Sequence, residues 1–365
     1  RHQRSARSFR EIGKGLLPMV REHDANKREH AALCGPCAVP VHDGHRGPGW
    51  WATVSCGPPV DVTMTGRIRI LSTWRGGATD FDRVLSRGNT SDVYAIGVDA
   101  IVKVPRPDVP DHWIEIEARH AAAVHEAGLP SPMVLDLTSV NGRPAIVFER
   151  VEGPSMLEEL AASPRSADGF ARDMAALQRR LHAAQAPGPL PELRDRVAGK
   201  IGTASGVSAH DRVEALEVLD GLPAGSSVCH GDLHPGNILL GRHGPMVIDW
   251  FDATAGAPVA DIVRTSLITG PVRSDSSPPP HLPGLGLAVL NRFHRTYVGC
   301  MLGDLDADRV AALSWEAVLA VSRLAEPVGR QADDLISIWR SRADLSLAPV
   351  TPLAELVLSS VRSEE

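Results

Sequence analysis

Between residues 81 and 152, hydrophobic and polar positions alternate in several short stretches, which is the period-two pattern of β-strands. Polar or glycine-containing turns separate these stretches, and the alternation in one of them directs Lys103 to a single face. The predicted strands are 81–85, 92–96, 100–104, 134–137 and 145–148. A helix is predicted to interrupt them, from Asp111 as its N-cap to about Ala127. The pattern indicates a small, strand-rich unit.

After Gly153 the apolar residues recur at helical spacing, which predicts a second, mainly helical unit over 153–365. The predicted helices are 167–184, 207–219, 263–268, 287–301, 308–324 and 331–345, and the proline-rich stretch 274–283 is predicted to be a loop or linker.

Residues 1–80 show no sustained apolar period and contain several Gly-Pro turn signals, so we expect a poorly organised N-terminal extension. The chain opens with Arg1, and Met64 leads directly towards the patterned region. We therefore expect residues 1–63 to lie outside the folded enzyme.

The segment with the most chemical information reads HGDLHPGN at 230–237 and continues to VIDW at 247–250. An apolar strand, a turn and a returning strand between the two motifs predict a hairpin that brings Asn237 and Asp249 to the same end. Their side-chain oxygens are ligands that Mg²⁺ accepts, and Asp232 is placed to orient an attacking hydroxyl. The spacing therefore predicts a phosphoryl-transfer site, with Asp232 catalytic and Asn237 and Asp249 as the metal ligands.

These two motifs resemble those of the aminoglycoside phosphotransferase family, relatives of the protein kinases, and the resemblance runs from about residue 81 to about residue 340. It implies an α+β, bilobal protein-kinase-like fold, with a small β-rich N-lobe and a larger, mainly helical C-lobe. It also implies ATP or GTP as phosphoryl donor and Mg²⁺ as cofactor. Asp261 matches a family Asp that braces the catalytic loop, although a helix N-cap is equally open, and His230 is expected to hold that loop by hydrogen bonds. His234 has no assigned role.

The resemblance also suggests which residues bind the nucleotide. Lys103 is the candidate for the phosphates, and Glu117 is preferred over Glu115 as its partner because of the family's spacing to a Gly-x-Pro helix stop. Ser91 and its neighbouring amides lie in the predicted phosphate turn, which has a single glycine.

Residues 148–151 are the expected hinge between the lobes, where the backbone at Glu149 and Val151 is expected to bind the adenine edge. A plain edge strand remains the alternative.

The charge distribution bears on the acceptor. The net charge is −6, although residues 1–80 carry 12 Lys/Arg and only 7 Asp/Glu, so the remainder of the chain is strongly acidic. This balance disfavours nucleic acid and suits a small, cationic acceptor, although solubility alone would explain it. Acidic residues near the C-terminus either face such an acceptor or form a solvated surface; they are Asp304, Asp306, Asp308, Glu316, Asp333 and Asp334.

The five cysteines form no dense framework, so we expect reduced thiols in a cytoplasmic protein. Cys34 and Cys37 have thioredoxin-like spacing but lack the flanking strand and helix, and adding His42 and His45 gives irregular spacing for zinc. No stretch approaches ~18 consecutive apolar residues, so no membrane partner is expected.

The sequence thus predicts a small-molecule O-phosphotransferase that moves the γ-phosphoryl of ATP or GTP to a hydroxyl, with an aminoglycoside or related antibiotic as the acceptor. A kinase for a metabolite such as choline, homoserine or a sugar is the alternative enzyme, since one fold serves many acceptors. A non-catalytic nucleotide-binding module is the alternative outside enzymes. Protein-kinase activity is disfavoured because no Ala-Pro-Glu follows Asp249.

Overall fold

A computed structural model describes residues 83–270, 279, 282, 284–302 and 309–342. The expectations for residues 1–80, including Cys34 and Cys37, and for most of 274–283 lie outside this part of the chain. Three of the acidic candidates also lie outside it, namely Asp304, Asp306 and Asp308. No helix within the described ranges has the length and apolar character needed to cross a bilayer.

A five-stranded antiparallel sheet forms the N-terminal lobe, with strand order β1-β2-β3-β5-β4. Its strands are β1 (Arg83–Arg87), β2 (Ser91–Ile96), β3 (Ala100–Pro105), β4 (Val134–Val140) and β5 (Arg143–Glu149). The turn between β4 and β5 places Asn141 and Gly142 at φ values of 53° and 78°. Two positive φ values suit the Asn-Gly pair and match the twist of a tight hairpin, as the sequence predicts.

Helix α1 (Asp111–Glu126) packs its apolar face, with Ile114, Ala121 and Val124, into the core beside the sheet. The prediction that Asp111 is the N-cap is wrong, because Pro110 occupies that position and Asp111 is the first helical residue. The Asp111 carboxylate instead accepts a hydrogen bond from Arg143 Nε at 3.0 Å. The start of α1 is thus held by β5 rather than by its own cap.

The C-terminal lobe is mainly helical. Its helices are α2 (Met156–Ala162), α3 (Ala167–His182), α4 (Leu193–Thr203), α5 (Ala209–Gly221), α6 (Pro258–Thr269), α7 (Leu287–Leu302), α8 (Arg309–Arg323) and α9 (Ala332–Ser341). Neither α2 nor α4 is among the helices predicted from the sequence. Helix α2 did have a signal, because Ser155 and Glu158 form a capping box at its start.

Two short antiparallel strand pairs flank the HGDLHPGN and VIDW segments in this lobe. β6 (Ser227–Cys229) pairs with β9 (Thr254–Gly256), and β7 (Ile238–Gly241) pairs with β8 (Gly244–Val247). The predicted hairpin after Asn237 is therefore confirmed, with Ile238 opposite Val247.

One apolar core runs from α1 and β5 into the helical lobe, and it includes the fully buried Trp250 and Trp315. Because this core is shared, α1 lies directly against the loop that follows β8, where Trp113 stacks on Phe251 with ring centroids 4.6 Å apart. The expected α+β class, with a small β-rich lobe and a larger, mainly helical lobe, is confirmed.

Candidate active site

The loop after β6 is held from below by a single buried carboxylate. Asp261, in the first turn of α6, accepts the backbone N–H of Gly231 at 2.8 Å and that of His230 at 3.2 Å. The alternative that it caps α6 is wrong, because Ala257 is the N-cap and Asp261 points into the protein. Asp261 therefore has the geometry of a brace.

Two further side chains complete this brace, and neither is among the site residues predicted from the sequence. His182 Nε2 and Gln178 Nε2, from α3, each lie 2.9 Å from Asp261 Oδ2. Burial raises the pKa of Asp261, but the hydrogen bonds from His182, Gln178 and Gly231 outweigh it and lower the pKa to about 2. The carboxylate is therefore ionised while it holds the loop.

His230 lies inside the loop and bonds to two backbone groups. Its Nδ1 accepts the N–H of Asp232 at 3.2 Å, so the Nε2–H is the one that donates to the carbonyl of Ile248 at 3.1 Å. Burial lowers its pKa, which keeps the ring neutral. These bonds tie the loop to the segment that follows β8.

Asp232 and Asn237 lie side by side at the end of the loop. Asn237 Nδ2 donates to the backbone carbonyl of Asp232 at 2.9 Å and lies 3.3 Å from Asp232 Oδ2. The amide of Ile248 donates to the carbonyl of Asn237 at 3.0 Å, which brings Asp249 to the same end of the hairpin. The Asn237 amide thus uses its nitrogen within the loop and leaves Oδ1 as an oxygen donor for a ligand.

Several ionised groups surround Asp232. Burial raises its pKa to about 8; Arg264 opposes the rise, and the carboxylates of Asp252 and Asp249 add to it. Acidic groups are therefore crowded here in a way that a bound cation would relieve.

Asp249 has a backbone conformation that is uncommon for a residue with a side chain. Its φ is 67°, in the left-handed region, and it begins the short 3-10 turn Trp250–Asp252. The side chain retains 39% of its exposure and lies 3.3 Å, through Oδ1, from Lys103 Nζ. The strained backbone turns this carboxylate out of the hairpin and towards the sheet.

Lys103 on β3 meets Glu117 on α1, as predicted. Its Nζ lies 2.6 Å from Oε1 and 2.8 Å from Oε2 of Glu117, which is buried. Glu115, the rival candidate, is exposed. Burial lowers the pKa of Lys103, but the charges of Asp249 and Glu117 outweigh it and raise the pKa above its ordinary value, so the ammonium stays charged.

The remaining predicted nucleotide residues lie at opposite ends of the sheet, with Ser91 at the start of β2 and Glu149 at the end of β5. Ser91 is buried, and its carbonyl accepts the N–H of Gly88 at 2.9 Å, which closes the turn between β1 and β2. At the end of β5 the N–H groups of Glu149 and Arg150 are already donated, to Met133 and Asp99 respectively. Val151 follows them, outside the strand, with its backbone unused by the described residues.

A buried ionic network lies behind the loop, and no local pattern in the sequence predicted it. Arg264 Nε donates to the carbonyl of Gly231 at 2.8 Å, and its Nη2 lies 2.7 Å from Glu326 Oε1. Lys200 bridges Glu326 at 2.8 Å and Asp252 at 3.2 Å. The loop is therefore fixed on one side by Asp261 and on the other by Arg264.

Of the predicted acidic acceptor residues, Glu316, Asp333 and Asp334 lie within the described part of the chain. Glu316 is buried within α8, so it does not belong to a solvated surface. Asp333 is exposed and Asp334 half-buried at the start of α9.

Comparison with known proteins adds to this geometry. The model of the phosphotransferase enzyme family, APH, matches residues 83–301. The chain belongs to this family. No curated protein matches this family member.

Solved structures that resemble this phosphotransferase family member do so at low identity. A choline/ethanolamine kinase family protein from Mesorhizobium loti is 18% identical, with 76% of this chain and 92% of that chain covered and a TM-score of 0.46. A thermostable mutant of aminoglycoside phosphotransferase APH(4)-Ia, in ternary complex with AMP-PNP and hygromycin B, is 14% identical over 76% and 93%, with a TM-score of 0.48. The GDP complex of aminoglycoside 2'-phosphotransferase-IIIa is 16% identical over 76% and 92%, with a TM-score of 0.44.

Proposed function

We propose that this protein transfers the γ-phosphoryl group of ATP or GTP to a hydroxyl of a small molecule. The observation that carries the proposal is the convergence of Asp232, Asn237 and Asp249 at one end of a hairpin, with Lys103 of the sheet 3.3 Å from Asp249. Membership of the phosphotransferase enzyme family supports the same reaction class.

In the reaction the acceptor oxygen forms a bond to the γ-phosphorus, and the bond from that phosphorus to the oxygen bridging it to the β-phosphate breaks. ADP or GDP leaves, and the product is a phosphate monoester. Asp232 orients the acceptor hydroxyl and takes its proton. Since phosphoryl transfer depends mainly on positioning and charge, the rigid loop held by His230 and Asp261 is itself a large part of catalysis.

The donor set near Asp232 fits a magnesium ion. Asn237 Oδ1 and the partly exposed Asp249 carboxylate are hard oxygen donors, the kind that Mg²⁺ takes together with phosphate oxygens. Burial is the main cause of the raised pKa of Asp232, and the nearby carboxylates of Asp252 and Asp249, which add to the rise, also favour a cation here. When bound, Mg²⁺ neutralises negative charge on the phosphate oxygens.

The nucleotide lies between the sheet and this loop in our proposal. Lys103, directed by Glu117, binds the phosphates, and the turn that ends at Ser91 covers them with backbone amides. The base lies at the hinge, where the carbonyl of Glu149 and the unused N–H of Val151 bind its edge.

The acceptor that we propose is an aminoglycoside or a related cationic antibiotic. The resemblance of the two motifs to the aminoglycoside phosphotransferases and the acidic balance outside residues 1–80 support this choice. A kinase for choline, homoserine or a sugar is the second candidate from the same fold.

Release of ADP or GDP tests the function. The purified protein is assayed with each nucleotide and Mg²⁺ against hygromycin B, choline, homoserine and glucose. We expect acceptor-dependent nucleoside diphosphate release, greatest with hygromycin B. A Mg²⁺-dependent thermal shift with nucleotide and no turnover with any acceptor would instead identify a non-catalytic nucleotide-binding module.

We also propose that the catalytic unit consists of the lobes 81–152 and 153–365, with residues 1–80 as an extension. A protein that starts at Met64 should keep the turnover and melting temperature of the full chain. Loss of either would mean that residues 1–63 belong to the enzyme.

A further inference from the structure

The 3-10 turn Trp250–Asp252, which directly follows the proposed metal ligand Asp249, is contacted by a helix from each lobe. Trp113 of α1 stacks on Phe251, with an angle of 29° between the two ring planes. The guanidinium carbon of Arg196, from α4 of the helical lobe, lies 4.8 Å from the centroid of the same ring. The Phe251 ring therefore joins the two lobes beside Asp249.

The two other residues of the turn are held by the same two helices. The carbonyl of Trp250 accepts a hydrogen bond from His120 Nδ1 of α1, at 3.1 Å. The carboxylate of Asp252 accepts one from Arg196 Nε of α4, at 2.8 Å. Every residue of the turn thus has a partner on α1 or α4, and each helix contacts two of the three.

One side of α1 supports both halves of the proposed nucleotide site. Trp113, Glu117 and His120 are spaced at i, i+4 and i+7, which places them on a single face of the helix. Glu117 binds Lys103. Trp113 and His120 contact the turn beside Asp249. The position of α1 therefore bears on the lysine and on the metal ligand together.

Asp249 needs such support because its backbone conformation is unfavourable. Its φ of 67° lies in the left-handed region, which a residue with a side chain seldom adopts unless the surrounding structure holds it there. Because the turn continues directly from Asp249, the position of the turn determines the course of the backbone at this residue. Phe251 is the member of the turn that both helices contact through one ring.

We propose that Phe251 is a positioning residue for the magnesium ligand Asp249. Its contacts with Trp113 and Arg196 keep the turn in place, and the turn keeps the carboxylate directed towards the nucleotide site. The inference rests on the proposed function, in which Asp249 binds Mg²⁺. Since Phe251 acts through this carboxylate, its loss should weaken binding of the nucleotide with its cation and leave binding of the nucleotide alone unchanged.

Packing alone is the competing explanation, because a half-buried aromatic ring adds to stability wherever it lies. Two substitutions at Phe251 and one elsewhere separate the two roles. Phe251→Leu keeps an apolar side chain but removes the ring that stacks and that faces a cation, whereas Phe251→Tyr keeps the ring. Phe170→Leu, on α3, makes the same change at another half-buried phenylalanine and is the matched control.

The measurement is the Kd of ATP and of GTP by isothermal titration calorimetry, with Mg²⁺ and with EDTA, together with the melting temperature. We expect Phe251→Leu to raise the Kd in Mg²⁺ about tenfold for each nucleotide that the wild type binds, and to leave the Kd in EDTA unchanged. Phe251→Tyr should bind like the wild type. Phe170→Leu should melt lower and keep both Kd values. If Phe251→Leu also melts lower and keeps both Kd values, the ring only packs and the proposal is wrong.

A second pair of variants tests the same contact from α1, with the turn itself unchanged. Trp113→Leu removes the stacking partner of Phe251 and should show the same loss of Mg²⁺-dependent affinity, while Trp113→Phe keeps a ring and should lose less. In the double variant with Phe251→Leu the two losses should not add, because both changes remove one contact. Fully additive losses would contradict the proposal. So would unchanged affinity in Trp113→Leu, even if Phe251→Leu does not fold.

Asp249→Ala, in the same titration, separates this inference from the proposed function. If Asp249→Ala loses the Mg²⁺-dependent affinity while Phe251→Leu and Trp113→Leu keep it, this inference fails and the proposed function stands. If Asp249→Ala keeps that affinity as well, Asp249 is not a metal ligand and the proposed function fails with the inference.

Discussion

Lys103 Nζ lies 3.3 Å from Asp249 Oδ1, so an ion pair joins the sheet to the loop that follows β8. The two residues are 146 positions apart in sequence. The left-handed backbone of Asp249 directs its carboxylate, and the ion pair with Glu117 directs the Lys103 ammonium group. A nucleotide phosphate and its cation, in the function proposed above, enter between these two charges. The ion pair therefore aligns the two lobes, and in the proposed function the same two groups hold the ligand.

Replacing Glu117 should weaken nucleotide binding through Lys103. In Glu117→Gln the ammonium loses a charged partner at 2.6 Å, and a charge-assisted hydrogen bond contributes about 1.5 kcal/mol or more. We expect the nucleotide KM to rise about tenfold, measured by steady-state kinetics. Glu115→Gln, on an exposed part of the same helix, is the matched control and should have wild-type kinetics. Equal effects of the two changes would show that the observed pair has no role.

Replacing Asp261 should destabilise the protein as well as slow it. In Asp261→Asn one carboxylate oxygen becomes an amide nitrogen. In one orientation of the new amide His182 and Gln178 lose their acceptor, and in the other orientation the loop amides lose theirs. Removing one charged partner from a buried network costs about 3 kcal/mol. Urea unfolding should show this loss, whereas Asp173→Asn, exposed on α3, should unfold like the wild type. Unchanged stability in Asp261→Asn would contradict the brace.

His120 should make the stability depend on pH. It lies buried in α1, and its Nδ1–H donates to the carbonyl of Trp250 at 3.1 Å. Burial, with smaller contributions from Arg196 and Arg119, lowers its pKa from 6.5 to about 4. The folded state therefore binds fewer protons than the unfolded state between these values, so stability falls as the pH falls below about 6.5.

From pH 7 to pH 5 this one group should remove about 2 kcal/mol of unfolding free energy. His120→Asn, which can keep the bond to Trp250, should flatten that part of the profile in urea titrations at each pH. His112→Asn, exposed on the same helix, should leave the profile as it is. A profile of the same slope in all three proteins would show that His120 does not titrate as its burial requires.

The elements that could be predicted from sequence are those encoded by neighbouring residues. The β7–β8 hairpin and the Asn141-Gly142 turn follow from local alternation and turn chemistry. The choice of Glu117 as the partner of Lys103 came instead from the resemblance to the family. Helix α2 could also have been predicted, because Ser155 and Glu158 form the capping box at its start.

What could not be predicted is the support around the loop, because its members come together only on folding. Gln178 and Asp261 are 83 positions apart, and Arg264 and Glu326 are 62 positions apart. The sequence around a helical Arg or Gln does not show whether its side chain will be buried against a partner or exposed to solvent. The Asp111 prediction failed because α1 begins at Asp111 itself, whose carboxylate binds Arg143 of a distant strand.

The kinetics of Asp232→Ala and Asp249→Ala, measured side by side with Mg²⁺-dependent nucleotide binding, test the proposed reaction most directly. Asp232→Ala should bind nucleotide like the wild type and lose at least about 100-fold in kcat, because it removes the group that directs the acceptor. Asp249→Ala should lose Mg²⁺-dependent nucleotide affinity. Near-normal turnover in Asp232→Ala, with nucleotide affinity unchanged in both variants, would contradict the assignment of this cleft as a phosphotransfer site.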